Sequence, residues 1–329
     1  MAELADQPLH LAWRPFVLDL AQPLRTARGA LSRKQGWLLQ LRRADGAVGW
    51  GEAAALALGA LEPAAQRQRL EGLIAGLVGE HRRSALEAQI ASPACPAVLA
   101  FALGAALAEL DAQVGGGGWL PAPAPARLLP AGAAALDALE AASAEPAPSF
   151  KWKVAVQADA EERQVLERLL ARLPAAAQLR LDANGGWGRA TAEAWAQRLA
   201  AEPRLQWLEQ PLAPADHAGL QALAERLPVA LDESLALCPA LRHSWSGWQV
   251  RRPSQDGDPR PLLAALTAGR PRLMLSTAFE TGIARRWLHH LAALQSLGPT
   301  PAAPGLASDW QGGGPLLSSD PQVVWEAAA

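Results

Sequence analysis

The chain has 329 residues, which is enough for one large domain or two ordinary ones. Half of the residues are hydrophobic and 19% are charged, so a sizeable core is expected. The net charge of −2 leaves no basic surplus for binding nucleic acid or an anionic membrane, and the longest apolar run, 97–108, is too short to span a bilayer. The two cysteines, Cys95 and Cys238, exclude a disulfide framework, and the first residues do not form a signal peptide. These features predict a soluble protein of the cytoplasm.

The first part of the chain predicts a mixed α and β region. An Asp45-Gly46 pair between two strand-like runs is typical of a hairpin turn. Glycines at 115–118 and a Pro-Ala run at 121–125 then predict a loop between two bodies. Before that loop, we expect strands over 15–24, 36–43 and 48–52, followed by helices over 62–80, 84–91 and 96–113.

After this loop, short apolar runs alternate with amphipathic helical stretches. The predicted strands are 127–129, 150–156, 178–182, 205–209, 229–232, 248–252 and 272–276, with a weak one near Leu306. The predicted helices between them are 132–144, 159–173, 189–201, 215–226, 259–268 and 282–296, and 233–247 has no clear pattern.

Seven or eight such units favour a parallel (β/α) barrel over an open sheet. The predicted fold class is therefore α/β, with a modified TIM barrel over 96–310. An α+β capping domain over 1–95 precedes it and is completed by the C-terminal tail, 311–329. No nucleotide-binding fingerprint such as GxGxxG follows any predicted strand.

Three acidic residues directly follow apolar strands of the predicted barrel. Asp182, Glu209 and Asp232 are spaced by about one βα unit, so a barrel brings them together at its C-terminal face. Three convergent carboxylates repel each other unless a cation neutralises them, and oxygen ligands suit Mg²⁺, with Mn²⁺ as a substitute. Each acid alone is more often a helix cap or a solvated charge.

Lysine is rare in this chain, and two of its three lysines lie two residues apart on one strand. Lys151 and Lys153 share a face because side chains alternate along a strand. A lysine inside a barrel is costly unless it is paired or functional, so we expect either an ion pair with the acids or a base. A neighbouring ammonium, a divalent cation and burial would each favour a neutral amine, with Lys153 as the base. The only asparagine, Asn184, is expected to orient Asp182 through a hydrogen bond.

Four short motifs carry a resemblance to a known family. The hairpin over 46–52 and the segment over 275–282 add to it. Together they resemble the enolase superfamily and, within it, the cyanobacterial-like branch of the o-succinylbenzoate synthase family. The four motifs are Phe-Lys151-Trp-Lys153, Asp182-Ala-Asn184-Gly-Gly-Trp187, Glu209-Gln-Pro211 and Asp232-Glu-Ser234.

The resemblance implies a role for each matching residue. The metal ligands would be Asp182, Glu209 and Asp232, and Lys153 would be the general base with assistance from Lys151. Asn184 and Glu233 would support the ligands through hydrogen bonds, and Ser276 and Gly282 would contact the substrate.

Arg252 departs from the family pattern. Most relatives place a second catalytic lysine there, before a proline, whereas this chain reads Arg252-Pro253. Arginine stays protonated and cannot act as a base. A racemase needs a base on each face of the α-carbon, so the chain is expected to use one-base elimination, with Arg252 contributing positive charge.

The resemblance implies a small-molecule carboxylate as substrate and no nucleic-acid or membrane partner. The implied activity is Mg²⁺-dependent dehydration of 2-succinyl-6-hydroxy-2,4-cyclohexadiene-1-carboxylate in menaquinone or phylloquinone synthesis. Two alternatives stay open: another enolase-superfamily enzyme, such as an N-succinylamino acid racemase or a muconate cycloisomerase, and a barrel that binds a carboxylate without turnover. Either a monomer or a homo-oligomer fits the sequence.

Overall fold

The computed structural model describes residues 8–26, 29–56, 64–142, 148–307 and 312–328. Its first part contains a four-stranded antiparallel sheet with the strand order β3-β2-β1-β4. Three helices accompany this sheet. The elements are β1 (Pro8–Thr26), β2 (Gly29–Arg43), β3 (Val48–Ala53), α1 (Ala64–Ala75), β4 (Gly79–Arg82), α2 (Arg83–Ala91) and α3 (Ala97–Leu110).

Strand β4 was not predicted. The helix expected over 62–80 ends at Ala75 instead, and Gly79 has a φ of 105°, which a helix does not allow. The residues that follow pair with β1, where His10 faces Glu80. Two glycines close together, at 76 and 79, therefore end the helix and let the chain turn back onto the sheet.

The second part contains a seven-stranded parallel sheet in which each strand neighbours the next one along the chain. Helices connect the strands, and the 233–247 stretch forms two short ones. The strands are β5 (Arg127–Leu129), β6 (Ser149–Lys153), β7 (Gln178–Asp182), β8 (Leu205–Glu209), β9 (Val229–Leu231), β10 (Trp248–Arg251) and β11 (Leu273–Leu275). The helices are α4 (Ala134–Ala142), α5 (Asp159–Arg172), α6 (Arg189–Leu199), α7 (His217–Ala224), α8 (Glu233–Leu237), α9 (Leu241–Ser244), α10 (Pro253–Asp256), α11 (Arg260–Thr267) and α12 (Gly282–Ser296).

A short segment takes the eighth position of the barrel. The weak strand predicted near Leu306 is reduced to a single bridge between Ser276 and Gly305. On its other side, the amide of Ala126 donates to the carbonyl of Pro304 over 2.9 Å. These contacts connect the two ends of the sheet, and the predicted barrel with an antiparallel cap is confirmed.

Helix α3 packs tightly on strand β3. A Cβ atom at Gly49 would lie 1.9 Å from the carbonyl oxygen of Ala106, and one at Gly51 would lie 2.2 Å from that of Ala102. Only glycine permits such a close approach of the two backbones. Other residues of α3, such as Phe101, belong to the core shared with the barrel helices α11 and α12. Helix α3 therefore packs on both the antiparallel sheet and the barrel helices. The predicted domain boundary at residue 95 stays a prediction.

The C-terminal helix α13 (Pro321–Ala327) packs on the antiparallel sheet. Val324 and Trp325 share a buried cluster with Phe16, Leu38 and Trp50. The tail therefore covers one side of the cap, and its assignment to a capping domain stays a prediction. In the part of the chain that the structure describes, no helix has both the length and the apolar character needed to cross a membrane.

The contact between β3 and α3 leads to a stability prediction. We expect Gly51→Ala to destabilise the fold by about 3 kcal/mol, because the new methyl group must push the α3 backbone away. Gly72→Ala in α1 is the matched control, since no atom lies within 4 Å of its Cβ position. It should stabilise the fold by about 0.5–1 kcal/mol. Urea unfolding followed by tryptophan fluorescence measures both, and equal stabilities would contradict the proposed packing.

Candidate active site

Five neighbouring strands bring the predicted site residues to the C-terminal face of the barrel. The register places Lys153 opposite Asp182, and Asp182 opposite Glu209. Asp232 directly follows β9, and Arg252 directly follows β10. The predicted convergence of the acids and the basic residues is therefore what the strand order produces.

Lys151 holds two of the acids together. Its Nζ lies 2.8 Å from Oδ2 of Asp182 and 2.7 Å from Oε1 of Glu209, and both carboxylates are buried. Burial favours the neutral amine, but the charges of Asp182, Glu209 and Asp232 outweigh it and raise the pKa of Lys151. Lys151 is therefore an ammonium ion, which suits a charge-stabilising role and not that of a base.

The acids affect each other's ionisation. Burial raises the pKa of Glu209, and the negative charges of Asp182 and Asp232 raise it further, against the opposing charge of Lys151. For Asp182, burial is outweighed by Lys151 and Lys153, so its pKa is lowered. The buried acids therefore differ in ionisation, with Asp182 favoured in its charged form and Glu209 disfavoured.

Arg252 binds the third acid. Its Nη1 donates a hydrogen bond to Oδ1 of Asp232. Burial opposes the charged guanidinium, but the charge and hydrogen bond of Asp232 outweigh it and raise the pKa of Arg252. The side chain is a permanent cation in the site, in agreement with the expectation that it cannot accept a proton.

A hydrogen-bonded chain orients Lys153. Its Nζ donates to Oδ1 of Asn184 over 2.9 Å, and Nδ2 of Asn184 donates to Oε1 of Glu233 over 3.1 Å. The backbone amide of Asn184 also donates to Oδ1 of Asp182. Burial and the charges of Asp232 and Asp182 raise the pKa of Glu233 to about 7. Asn184 thus connects the predicted base with two of the predicted acids.

Sequence reasoning missed Gln210, which is fully buried between the loop after β8 and the segment after β9. Its Oε1 accepts hydrogen bonds from the amides of Asp232 and Ser234, while its Nε2 donates to the carbonyl of Leu212 and to Oγ of Ser234. The side-chain amide thereby fixes the backbone at Asp232. The only signal in the sequence is its place directly after Glu209, and that signal does not reveal these contacts.

Arg180 is a second residue that was not predicted, and it adds a positive charge on β7 two residues before Asp182. It is completely buried in the barrel, with its guanidinium carbon 4.2 Å from the ring centre of Trp207. Burial lowers the pKa of Arg180 to about 9, although the charge of Glu209 opposes this. Trp207 in turn donates from Nε1 to Oε2 of Glu209 over 3.3 Å. The carboxylate of Glu209 is therefore supported from Lys151 on one side and Trp207 on the other.

The two predicted substrate contacts lie after β11. Ser276 directly follows this strand, and its Oγ is 3.4 Å from the carbonyl oxygen of Gly305. Gly282 begins helix α12, and a Cβ atom there would lie 1.7 Å from the carbonyl oxygen of Ser318. Close packing against the tail accounts for glycine at this position, so its contact with substrate stays a prediction.

The donor set fits a magnesium ion. Within the described residues, no three acidic, histidine or cysteine side chains form a ready ligand cluster. Instead, Lys151 and Arg252 act as the counter-ions of Asp182, Glu209 and Asp232. Three carboxylates on neighbouring strand ends are hard oxygen donors, and a divalent cation would relieve the repulsion that raises the pKa of Glu209. We therefore expect the ion to share the counter-ion role of these two basic side chains.

Comparisons with known proteins identify the family of this chain. The family model described as "Enolase C-terminal domain-like" matches residues 133–244. The o-succinylbenzoate synthase of Thermosynechococcus vestitus is 34% identical over 93% of this chain and 95% of its own length.

Two solved structures show the same arrangement of the chain. The o-succinylbenzoate synthase from Thermosynechococcus elongatus BP-1, complexed with Mg in its active site, superposes with a TM-score of 0.79 and 32% identity over 96% of this chain and 99% of that one. The L-Ala-D/L-Glu epimerase from Bacillus subtilis gives a TM-score of 0.69 at 19% identity over 89% of each chain, which shows the common fold alone. This chain belongs to the o-succinylbenzoate synthase family of the enolase superfamily.

Proposed function

We propose that this protein is a Mg²⁺-dependent o-succinylbenzoate synthase, a carbon–oxygen lyase. It would convert 2-succinyl-6-hydroxy-2,4-cyclohexadiene-1-carboxylate into 2-succinylbenzoate and water. The observation that carries this proposal is the division of the lysine pair, in which Lys151 binds two acids while Lys153 binds the neutral amide of Asn184. One lysine is thus a fixed charge, and the other is placed to exchange a proton.

Lys153 would act as the single base. Its amine takes the proton from the carbon next to the substrate carboxylate, and Asn184 sets the direction of Nζ. Lys151 and Arg252 supply positive charge as an enediolate forms. The bond to the ring hydroxyl then breaks, the proton returns from Lys153 to the leaving oxygen, and water departs as the ring becomes aromatic.

Mg²⁺ would be held by Asp182, Glu209 and Asp232, and Mn²⁺ would serve as a substitute. When bound, the ion neutralises the substrate carboxylate and lowers the energy of the negative charge that develops there. The carboxylates are well suited to this because the cations that contact them among the described residues, Lys151 and Arg252, leave other carboxylate oxygens available to a metal ion.

A racemase is the leading alternative, and Arg252 argues against it. Racemisation needs a proton acceptor on each face of the α-carbon, and the guanidinium of Arg252 is held in its charged form by Asp232. A barrel that binds a carboxylate without turnover is disfavoured by the hydrogen-bonded chain from Lys153 to Glu233, which fixes a base and not a simple anion contact. We place the reaction in the cytoplasm, in menaquinone or phylloquinone synthesis.

Replacement of the base is the most direct test. We expect Lys153→Met to lower kcat by about 10³-fold, within the range that general bases contribute. The assay is the loss of cyclohexadiene absorbance on addition of freshly made substrate, with Mg²⁺ affinity measured by calorimetry on the same samples.

Lys151→Met is the matched control for this replacement. It should also lose turnover, but it should bind Mg²⁺ about tenfold more tightly, because it frees Asp182 and Glu209 from a competing cation. Lys153→Met should leave Mg²⁺ binding nearly unchanged, since its Nζ contacts Asn184. Retention of more than a tenth of the turnover by Lys153→Met would contradict its role as the base.

Metal removal tests the ligand set. Treatment with EDTA should abolish turnover, and added Mg²⁺ should restore it. Asp232→Asn should raise the Mg²⁺ concentration needed for half-maximal activity by more than the 10–100-fold that loss of an outer hydrogen-bond partner costs. Asp216→Asn, at an exposed ion pair with Arg189, is the control and should not change it. An unchanged requirement in Asp232→Asn would exclude this residue as a ligand.

Proton exchange separates the synthase from the racemase. In D₂O, we expect the wild-type enzyme to exchange the α-proton of only one enantiomer of an N-succinylamino acid, because Lys153 is the only base. Arg252→Lys should add exchange of the other enantiomer, since lysine can release its proton. NMR follows both reactions. Rapid exchange of both enantiomers by the wild-type enzyme would favour the racemase.

A further inference from the structure

A glutamine side chain joins the barrel to the antiparallel cap close to Arg252. Gln255 lies in the short helix α10, and its Nε2 donates to the carbonyl of Ala54 over 3.0 Å. Its Oε1 accepts a hydrogen bond from the amide of Leu56 over 2.8 Å. The side-chain amide of Gln255 thus bonds the backbone just beyond the end of β3 in the way that a neighbouring strand would.

The same amide connects to a buried network in the barrel. Nε2 of Gln255 lies 3.1 Å from Oγ of Ser254, which donates to Oε1 of Glu280 over 2.7 Å. The other oxygen of Glu280 accepts from Oγ1 of Thr277 over 2.6 Å. Ser254, Thr277 and Glu280 are all buried. The loops after β10 and β11 are therefore held together by hydrogen bonds that are buried away from solvent.

A second contact from β3 secures the neighbouring loop. Oε2 of Glu52 accepts hydrogen bonds from the amide and the hydroxyl of Thr281, at 2.8 and 2.6 Å. Its Oε1 accepts from Nζ of Lys34 over 2.9 Å, and this ion pair is fully buried. Alternate residues at the end of β3 and just beyond it, at 52, 54 and 56, thus contact the two barrel loops that begin beside Arg252 and Ser276.

Gln255 also controls the backbone of Arg252. Its own amide donates to the carbonyl of Arg252 over 2.8 Å and closes the turn after β10. On the other side, the carbonyl of Arg251 accepts from the amide of Ser276. In the described part of the chain, Nε of Arg252 has no hydrogen-bond partner, so the guanidinium is directed by its backbone and by Asp232.

We propose that Gln255 is a positioning residue for Arg252, which it aligns by fastening the turn after β10 to the end of strand β3. This inference rests on the proposed function, because it gives Arg252 a charge-stabilising role in that reaction. The packing of the cap on the barrel and the position of the Arg252 charge are then coupled through Gln255. A side chain without the amide loses both hydrogen bonds to the cap, at Ala54 and Leu56, while the bond from Ser254 to Glu280 remains. The guanidinium of Arg252 is then less firmly directed.

The test is a double-mutant cycle between Gln255→Met and Arg252→Met in the full-length, Mg²⁺-loaded enzyme. Gln255→Met alone should lower kcat about tenfold and change KM less than about twofold, because misplaced charge affects mainly the transition state. In the Arg252→Met background, the same change should lower kcat less than about twofold. Equal losses in both backgrounds would overturn the proposal, since Gln255 would then act independently of Arg252.

Amide hydrogen exchange measures the contact between Gln255 and the cap independently of activity. Gln255→Met should speed exchange at Leu56, whose amide loses its acceptor. Gln249→Met is the matched control, because Nε2 of Gln249 on β10 donates to the carbonyls of Arg242 and Trp245 and not to the cap. It should leave kcat and the exchange at Leu56 unchanged. A loss of kcat in Gln249→Met as large as that in Gln255→Met would overturn the proposal.

Two further outcomes are distinguishable. If Gln255→Met does not fold, Gln255→Glu replaces it in the cycle, because this variant keeps the size of the side chain and the acceptor for Leu56. It replaces the donor to Ala54 and Ser254 with a negatively charged carboxylate oxygen. It should show the same dependence on Arg252. A wild-type enzyme that does not turn over the substrate would overturn the proposed function, and the role of Gln255 with it, even if the exchange at Leu56 behaves as expected.

Discussion

The burial of opposite charges at the mouth of the barrel is the constraint on which the other features depend. Asp182, Glu209 and Asp232 lie almost completely out of water, and each is stabilised by a basic side chain from another strand of the barrel. Removing one partner of a buried pair typically costs about 3–5 kcal/mol. A slip of one residue in β7 or β8 would turn the acid of that strand away from Lys151. The charges therefore select the strand register that the reaction also needs.

The same constraint divides the work between the two lysines. Both are on β6, and alternation places them on one face, yet their partners differ. Lys151 lies deeper, between two carboxylates that hold its proton. Lys153 lies at the level of Asp182 and meets the uncharged oxygen of Asn184. Position along a single strand thus separates the lysine that two acids hold, Lys151, from the lysine that we propose as the base, Lys153.

How far the sequence predicts the site depends on the range of the interactions. Asp182 and Glu209 end their strands and Asp232 directly follows one, so each is marked by the apolar run before it, and the order of βα units brings the three together. The parallel barrel and the hairpin before Glu52 follow from equally local patterns. The weak strand near Leu306 was also visible, although the structure reduces it to one bridge at Gly305.

The features that were missed depend on contacts between distant parts of the chain. Strand β4 forms because residues 79–82 pair with the edge of β1. The helical pattern of the preceding residues extends over this segment, so the sequence does not indicate a strand. Gln210 is a single buried amide whose partners lie after two different strands, β8 and β9. Gln255 and Ala54 are 201 residues apart, and no periodicity relates them. Side-chain amides carry no pattern of their own, so only the folded chain reveals which backbone groups they satisfy.

Arg252 shows how the fold and the reaction limit each other. Its charge satisfies Asp232, so a neutral residue in its place would leave that acid buried beside Glu233 without a counter-ion. A lysine would satisfy the same charge and could also release its proton, which opens chemistry on the second face of the substrate. Arginine keeps the charge and removes that option. The electrostatic requirement of the site therefore permits either cation, and in the proposed reaction the choice of arginine limits the chain to a one-base elimination.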